Sequence, residues 1–442
     1  MKTGKLKRLA ACGLAAVTSL LSLSGCGSKD DDKQYKIFVI GQTKNMQFWD
    51  DLQAGAMDAS EELGYKVTYD ASTDITKTTE QADLIDRAIE EKYDAICIAP
   101  DHATALNDKL SDAYNAGLKI FTIDADVSNF DNRISYIGTQ NSSAGSIAAR
   151  EAMHILLDAG PDARAAIVCH SESASSAQQR VSGFTSELNK LMNVELAKQA
   201  AQQGGEEGED GEDGQEGQEG QEGQQGGAPQ GQGNAQQGGA PQGQGNAQQG
   251  GAPQGQGAAQ QGEGGTQGGP PAGATQGGPP QQTGENFVVA TTYCDGTRIG
   301  AQEMAADIIK RNPDVKVLYA TNENSTVGVC LAVKEANMQG KIAVIGFNSN
   351  QQEIDDLNAG VLTGTMLQSP YNMGYFGVFY CGQYLAELDV IEKSDNPERR
   401  PTIPPSVDTG AIYVTKDRLN DGDIQLLLNP YIFDTESDKN SK

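Results

Sequence analysis

The stretch KIFVIGQTKNMQFWDDLQAGAMDASEEL, residues 36–63, decides the fold class. Its first six residues form a continuous apolar run typical of a buried strand, and the residues from Asp50 onward have the spacing of an amphipathic helix. Adjacent Phe48 and Trp49 stand at the turn, and Trp49 is the only tryptophan in the chain. Exposed loops rarely carry large apolar groups without a reason. The two rings therefore either cap the core where the helix begins or form a platform for a ligand.

The same alternation of strand and helix continues along the chain. Nine further strand-like runs are KVTYDA (66–71), AICIAP (95–100), KIFTIDA (119–125), SYIGTQ (135–140), RAAIVCHS (164–171), NFVVATTY (286–293), VKVLYATN (315–322), KIAVIGFN (341–348) and LTGTMLQ (362–368). Helical patterns lie between them, and such crossovers between apolar strands predict parallel sheets covered on both faces. The series divides near Thr139 into two similar halves. We therefore predict an α/β protein of two doubly wound parallel-sheet lobes joined by a hinge.

Residues 203–284 interrupt this alternation. No Val, Ile, Leu, Phe, Trp or Tyr occurs between Gln202 and Gly284, and GGAPQGQGNAQQ recurs with a period of twelve over residues 226–261. Such a segment cannot bury enough apolar area to offset the roughly 1–2 kcal/mol per residue that chain ordering costs. We predict a disordered Gly/Gln-rich insert, placed in a surface connection where extra length costs little.

The N-terminus has the build of an export signal, with a cationic start, a short apolar run and small residues before Cys26. The tetrapeptide Leu-Ser-Gly-Cys (23–26) resembles the bacterial lipoprotein signal, in which the cysteine becomes the lipidated first residue. This predicts a signal peptide over residues 1–25, lipidation of Cys26, a polar tether over 26–34, and a place on the extracytoplasmic face of the cell membrane. An ordinary cleaved signal or an uncleaved anchor is the alternative.

Composition and motifs exclude several classes of function. The net charge of −27 argues against nucleic-acid binding, which favours a basic surface. No CxxC pair, phosphate-binding glycine loop or dinucleotide fingerprint occurs, and the calcium-like run Asp124–Asn129 lacks the glycine and closing glutamate of such a loop. We expect no enzyme, no cofactor and no metal. The cysteines that follow Cys26 are expected as buried thiols, namely Cys97, Cys169, Cys294, Cys330 and Cys381.

Polar side chains follow nearly every predicted strand. Ligands of open α/β sheets bind outside the carboxyl ends of the strands, so these residues are candidates for a site. Hydroxyl groups need both donors and acceptors, while the apolar face of a sugar ring packs on aromatic side chains. Two polar rims with an aromatic platform therefore suit a neutral polyhydroxylated ring.

Seven stretches, in order, resemble the sugar-binding branch of the type I periplasmic binding proteins, near the ribose-binding proteins. They are NMQFWDDLQAGAMDASEELGY, TIDADV, YIGTQNSSAG, SSAQQRVSGF, ATNENSTVGVCLAVKEA, AVIGFNSN and MLQSPYNMGY. The resemblance implies two lobes that clamp a small ligand and deliver it to an ABC-type permease. With the strand pattern, it gives an N-terminal lobe of 35–139 plus 369–405 and a C-terminal lobe of 140–202, 285–368 and 406–434.

The resemblance also implies the site residues. They are Asn45, Phe48, Trp49, Asp124, Asp126, Arg180, Asn322, Asn348 and Gln368. In the family the aromatic pair stacks on the sugar, the carboxylate accepts from its hydroxyls, and the arginine reaches ring and hydroxyl oxygens. The alternative for Asp126, Asn322 and Asn348 is that each caps a helix. The alternative for Arg180 is a surface ion pair with Glu187 or Glu151.

The chain departs from the family pattern at three places. Met46-Gln47 replaces a single proline before the aromatic pair, Ala125 replaces an arginine, and Asn348 replaces an aspartate. Asp126 is the candidate substitute for the missing contact beside Ala125. We expect a monomer that binds a monosaccharide or small oligosaccharide for an ABC permease. A membrane sensor that reads the same clamp is the alternative, and a wall-associated adaptor that has lost its ligand is a third reading.

Overall fold

The structure, a computed structural model, describes residues 34–206, 284–394, 396 and 398–429. The signal peptide, Cys26, the tether up to residue 33, residues 207–283 of the insert and residues 430–434 lie outside the described residues. The chain divides into two units, of which residues 1–202 and 284–442 form one and residues 203–283 the other. Within the described ranges, no helix has both the length and the apolar character needed to cross a bilayer.

The N-terminal lobe is built on a six-stranded sheet whose strands all run parallel. Its strands are β1 (Lys36–Gly41), β2 (Lys66–Ala71), β3 (Ala95–Ile98), β4 (Lys119–Ile123), β5 (Arg133–Gly138) and β11 (Ser406–Asp408). Their order is β2-β1-β3-β4-β5-β11, so the direction of winding reverses between β1 and β3. Crevices for ligands form at such a reversal, outside the carboxyl ends of the strands.

Four helices cover this sheet, α1 (Gln47–Leu63), α2 (Thr78–Glu90), α3 (Asn107–Asn115) and α9 (Pro370–Glu392). Alternate residues of β1 enter different apolar clusters, Ile37 and Val39 on one face and Phe38 and Ile40 on the other. Both faces are therefore buried, as the continuous apolar run predicts. Helices α1 and α9 pack so closely that a Cβ on Gly374 would clash with the backbone of α1.

The C-terminal lobe repeats this architecture. Its strands are β6 (Arg164–Cys169), β7 (Val288–Tyr293), β8 (Val315–Ala320), β9 (Ala343–Phe347), β10 (Gly364–Gln368) and β12 (Ala411–Val414). The order is β7-β6-β8-β9-β10-β12, and only β12 pairs antiparallel among these strands. The helices of this lobe are α4 (Asn141–Ala159), α5 (Ser175–Glu206), α6 (Arg298–Arg311), α7 (Glu323–Glu335), α8 (Gln351–Ala359) and α10 (Gly422–Leu428).

Within the described residues the chain crosses between the lobes three times, after β5, after β10 and after β11. The crossings are joined by hydrogen bonds, since Gln368 Nε2 donates to Thr139 Oγ1 at 2.7 Å and Thr139 Oγ1 donates to the Gly410 carbonyl at 3.2 Å. The predicted return to the C-terminal lobe at residue 406 is wrong by three residues, because Ser406–Asp408 pairs with β5. The two-lobed α/β fold and all ten predicted strands are confirmed. The five cysteines that follow Cys26 are buried free thiols.

Candidate functional site

Residues at the carboxyl ends of both sheets line one cleft between the lobes. The N-terminal lobe contributes Gln42, Met46, Phe48, Trp49, Ile75 and Asp124. The C-terminal lobe contributes His170, Ser176, Arg180, Asn322, Asn348 and Gln368. The cleft encloses about 340 Å³ of space free of protein atoms, part of it continuous with solvent.

The adjacent rings form the wall between the core of the N-terminal lobe and the cleft. Phe48 and Trp49 lie in the first turn of α1, and both belong to an apolar cluster of that lobe while lining the cleft. Their centroids are 4.9 Å apart in an edge-to-face arrangement, with only 3% of Trp49 exposed. A Cβ on Gly41 would lie 3.2 Å from Trp49 Cε3, so the small residue ending β1 lets the indole approach the sheet. The pair therefore belongs to the core of the lobe and also lines the cleft, and its stacking on a ligand stays a prediction.

Asp124 presents a buried carboxylate at the end of β4. Its backbone adopts the left-handed conformation with φ of 59°, which aspartate tolerates better than most residues. The Oδ1 atom lies 4.0 Å from Arg180 Nη2. Burial raises the pKa of the Asp124 carboxyl to about 6, although the Arg180 guanidinium acts in the opposite direction. The cleft therefore holds a carboxylate that is ionised at neutral pH at an energetic cost.

Asn348 occupies the corresponding place in the other lobe, directly after β9. Its φ is 78°, and its backbone N–H donates to the Met366 carbonyl at 2.8 Å. The side chain is buried, and Oδ1 has no hydrogen-bond partner among the described residues. The helix cap that the sequence allows for Asn348 is provided by Asn350, which caps α8. A buried acceptor without a partner is uncommon in folded proteins and marks a place for a ligand group or water.

The guanidinium of Arg180 is held in place by three hydrogen bonds and by one aromatic ring. Nε donates to Asn141 Oδ1 at 2.8 Å, Nη1 donates to the Thr321 carbonyl at 2.7 Å, and Nη2 donates to Gln368 Oε1 at 3.1 Å. Its Cζ lies 3.7 Å from the centroid of the Phe347 ring. Guanidinium has five N–H donors, so two remain for other groups. The surface ion pair with Glu187 or Glu151 is excluded, because Arg180 is 3% exposed within the cleft.

Two amides link the cleft to the scaffold. Asn322 caps α7, with Oδ1 accepting from the Ser325 N–H at 2.9 Å, so the capping alternative is confirmed for this residue. Because Asn322 also lines the cleft, the cap fixes the direction of its amide nitrogen, which donates to no described residue. Gln368 uses both ends of its amide, accepting from Arg180 and donating to Thr139. This residue therefore couples the arginine to the hinge.

The sequence also places Asn45 and Asp126 in the site, and the structure does not bring them into the cleft lining. The exposed Asn45 donates through Nδ2 to the Thr73 carbonyl at 2.8 Å, which ties the loop after β1 to the loop after β2. The Asp126 carboxylate accepts from Thr122 Oγ1 at 2.7 Å and pairs with Arg133 Nε at 3.0 Å. Both side chains therefore have protein partners outside the cleft.

His170 is the most informative lining residue that sequence reasoning missed. It directly follows β6, so the rule that ligands bind at strand ends is the signal that could have found it. Its Nδ1 lies 2.8 Å from Thr321 Oγ1. Burial, followed by the charge of Arg180, lowers the pKa of the His170 imidazole to about 3. The ring is therefore neutral across the physiological range.

The lobes also touch each other directly beside the cleft. Asp126 N–H donates to Ser175 Oγ at 2.9 Å, and the same hydroxyl donates to the Asp126 carbonyl at 2.6 Å. On the far rim the Phe48 N–H donates to Glu323 Oε2 at 3.4 Å. These contacts join residues of opposite lobes, so the structure represents a closed arrangement. In the described part of the chain, no group of three or more His, Cys, Asp or Glu is placed to hold a metal ion.

Comparisons with known proteins agree with this architecture. The D-allose-binding periplasmic protein of Escherichia coli strain K12 is 33% identical over 91 residues, which cover 21% of this chain and 29% of that protein. A carbohydrate-transporter solute-binding protein from Agrobacterium radiobacter, solved with D-arabinose, has a TM-score of 0.62 at 22% identity, covering 90% of this chain and all of that one. A glucose-galactose binding protein from Geobacillus stearothermophilus has a TM-score of 0.60 at 20% identity, covering 88% and 99%. At these identities the two solved structures show a shared fold.

The match to a family model extends over most of the folded chain. The periplasmic binding protein domain model matches residues 37–226 and 276–387, which include strands of both lobes. This is a family of extracytoplasmic binding proteins rather than enzymes. The matched curated relative is aligned over less than a third of its own length, so the assignment depends on the family model and the fold. The chain belongs to the periplasmic binding protein family.

Proposed function

We propose that this protein is a lipid-anchored, extracytoplasmic substrate-binding protein that closes on a neutral sugar and delivers it to an ABC-type permease. The observation that carries the proposal is the gap between Asp124 and Arg180. Their nearest side-chain atoms are 4.0 Å apart, too far for a direct hydrogen bond. A ligand hydroxyl placed there accepts from the guanidinium and donates to the carboxylate. Each group then makes a charge-assisted hydrogen bond, which is the stronger kind.

The charges of the cleft favour a neutral ligand. Among the residues that line the cleft, Asp124 and Arg180 carry opposite charges, and His170 is neutral. The remaining polar lining consists of amides and a hydroxyl, which serve as both donors and acceptors for hydroxyl groups. A phosphorylated or acidic sugar would add an uncompensated charge in a buried site, which is costly. The ligand class is therefore a monosaccharide or small oligosaccharide without net charge.

The aromatic wall supplies the complementary apolar surface. A pyranose or furanose ring has an apolar face of C–H groups that packs on an aromatic ring. In this proposal Phe48 and Trp49 cover that face, and the polar contacts come from Asp124, Arg180, Asn322, Asn348 and Gln368. A ligand that lacks one matched hydroxyl leaves a buried group unpaired, which costs about 1–3 kcal/mol.

Binding is tested with the full chain and a panel of neutral sugars that includes D-allose, D-ribose, D-arabinose and D-fucose. A bound sugar raises the melting temperature by mass action. We expect Trp49→Ala, Asp124→Ala and Arg180→Ala each to weaken the binding of an identified sugar at least tenfold in calorimetry, about 1.4 kcal/mol or more. Unchanged affinity in all three variants would overturn the site.

Asn45→Ala distinguishes two predictions, because the family resemblance places Asn45 in the ligand site and the structure places its side chain outside the cleft lining. Because the Asn45 side chain bonds the Thr73 carbonyl outside the cleft, we expect this variant to bind the sugar with unchanged affinity. A tenfold loss would instead place Asn45 in the ligand site, as the resemblance alone implies.

The membrane anchor and the delivery step have their own tests. In the native bacterium, Cys26→Ala should move the protein from the membrane fraction to the soluble fraction without changing sugar affinity. Loss of uptake of the bound sugar on deletion of the gene supports delivery to a permease. Normal uptake, together with a lost transcriptional response to that sugar, would favour a sensor that reads the same clamp.

A further inference from the structure

We propose that His170 is a ligand-binding residue of the cleft, whose Nε2 forms a hydrogen bond with a hydroxyl group of the bound sugar. The inference rests on the proposed function, because it assigns a further contact to the same site. Under this proposal, the neutral imidazole of His170 helps the C-terminal lobe to distinguish one sugar from another.

The fold places His170 at the centre of the C-terminal rim. The residue directly follows β6, the strand from which winding of this sheet proceeds in both directions, to β7 on one side and to β8 on the other. It lines the cleft together with Arg180 and Asn322, and only 4% of its surface is exposed. A polar ring buried at this position needs a hydrogen-bond partner for each of its nitrogen atoms.

One nitrogen is satisfied by the protein. The hydroxyl of Thr321 accepts from the backbone N–H of His170 at 3.1 Å and lies 2.8 Å from its Nδ1. A threonine hydroxyl has one proton. It also has two lone pairs, so it either gives its proton to Nδ1 or accepts a second hydrogen bond from Nδ1–H, and in both cases the protein satisfies this nitrogen. Thr321 is itself held in place, because its carbonyl accepts from Arg180 Nη1 at 2.7 Å.

The other nitrogen is left for the ligand. Among the described residues, none makes a hydrogen bond to Nε2 of His170. The charged group that faces the ring is the Arg180 guanidinium, which disfavours a second positive charge beside it. A neutral ring nitrogen adjacent to a fixed cation suits an uncharged hydroxyl group, which can accept from Nε2–H or donate to an unprotonated Nε2. His170 therefore joins Arg180, Asn322 and Asn348 as a polar contact between the C-terminal lobe and the ligand.

The test uses calorimetry on the full chain with whichever neutral sugar of the panel binds most tightly. We expect His170→Ala to weaken binding about tenfold or more, since a buried ligand hydroxyl then loses its hydrogen-bond partner. Thr321→Val, which removes the hydroxyl and keeps the shape, should weaken binding several-fold by releasing the ring. His154→Ala, at an exposed position of α4, is the matched control and should bind as the native protein does.

A set of deoxy sugars distinguishes a ligand contact from a general loosening of the cleft. For the native protein, one monodeoxy analogue should lose affinity that is not lost further in His170→Ala, because both changes remove the same hydrogen bond. If His170→Ala does not fold, His170→Gln provides the same comparison with a side chain of similar reach.

The outcomes are separable. If the native protein binds a sugar and both His170→Ala and Thr321→Val bind it equally well, His170 is not a ligand contact and the inference is overturned. The inference also fails if every analogue loses the same affinity in the native protein and in the variant. If the native protein binds no neutral sugar, the proposed function fails, and the role of His170 fails with it.

Discussion

Replacing Asp124 with asparagine removes a buried charge from the cleft while keeping the shape of the side chain. Asp124 is 6% exposed, and burial raises its pKa from the ordinary 3.8 to about 6 even with Arg180 nearby. The carboxylate is therefore less stable in the folded protein than in the unfolded chain. We expect Asp124→Asn to stabilise the ligand-free protein at neutral and alkaline pH, and at the same time to weaken sugar binding.

The size and the sign of the effect follow from proton linkage. Because the folded-state pKa lies above the unfolded value, the folded protein binds more protons between pH 3.8 and about 6. The contribution of Asp124 to the free energy of unfolding thus falls as pH rises through this window. Raising the pKa from 3.8 to about 6 corresponds to about 3 kcal/mol once pH exceeds 6. The loss of attraction to Arg180 is already included in that difference.

The assay is urea unfolding of both proteins at pH 4 and pH 8. Fluorescence of Trp49, the only tryptophan, reports on the cleft, and circular dichroism reports on both lobes. The pH dependence of the native protein's stability is not enough on its own, because the ionisation of His170 changes that stability in the opposite direction. Its pKa is depressed from 6.5 to about 3, so its contribution to stability is lost as pH falls through that range. Comparing Asp124→Asn with the native protein at each pH cancels the histidine.

We expect the two proteins to have similar free energies of unfolding at pH 4 and the variant to be about 2–3 kcal/mol more stable at pH 8. A difference that is the same at both pH values would refute the reasoning, as would a variant that is less stable at pH 8. Either result would mean that the buried carboxylate is compensated in the ligand-free protein.

Three further predictions concern the closed arrangement, the packing and the insert. Ser175→Ala removes the two hydrogen bonds that join the Ser175 hydroxyl to the backbone of Asp126 across the lobes. We therefore expect sugar to dissociate several-fold faster in stopped-flow measurements, a loss of about 0.5–1.5 kcal/mol of binding free energy, while Ser146→Ala should leave the dissociation rate unchanged. Gly374→Ala should lower the melting temperature because its Cβ would clash with α1, whereas Gly422→Ala, where a Cβ meets nothing within 4 Å, should not. Replacing residues 203–284 with a short Gly/Ser linker should leave the calorimetric sugar affinity unchanged, and a lost affinity would give the insert a part in binding.

The sequence predicts the two lobes well because the central strands of both sheets are apolar and buried on both faces. KIFVIG and KIAVIGFN need no partner to be recognised as strands, since continuous apolar runs of this length are typical of parallel sheets. The strands β11 and β12 were missed, because SVD and AIYV are short and half-exposed. Their pairing depends on β5 and β10, which are far away in sequence, and local pattern does not contain that information.

For the site, the sequence identifies the strand ends but not which polar side chain turns into the cleft. Asp124 and Asp126 are two residues apart, yet only Asp124 lines the cleft, because Arg133 and Thr122 bind the carboxylate of Asp126. Arg133 lies on the next strand, so this competition becomes visible only in the folded lobe. His170 was missed for a related reason, since its partner Thr321 lies 151 residues further along the chain.

The two positive-φ residues show how the fold arranges the cleft. Asp124 and Asn348 follow equivalent strands of the two lobes, and each donates its backbone N–H to the neighbouring strand, to the Ile137 and Met366 carbonyls at 2.9 and 2.8 Å. Their carbonyls are also fixed, by donation from Tyr136 Oη to Asp124 and from Thr365 Oγ1 to Asn348. A non-glycine residue in this conformation costs of order 1–3 kcal/mol and persists only where its surroundings hold it. Each lobe therefore uses the stability of its sheet to hold one poorly satisfied polar group against the cleft, and a ligand with donors for both would bind more tightly to the closed form than to either lobe alone.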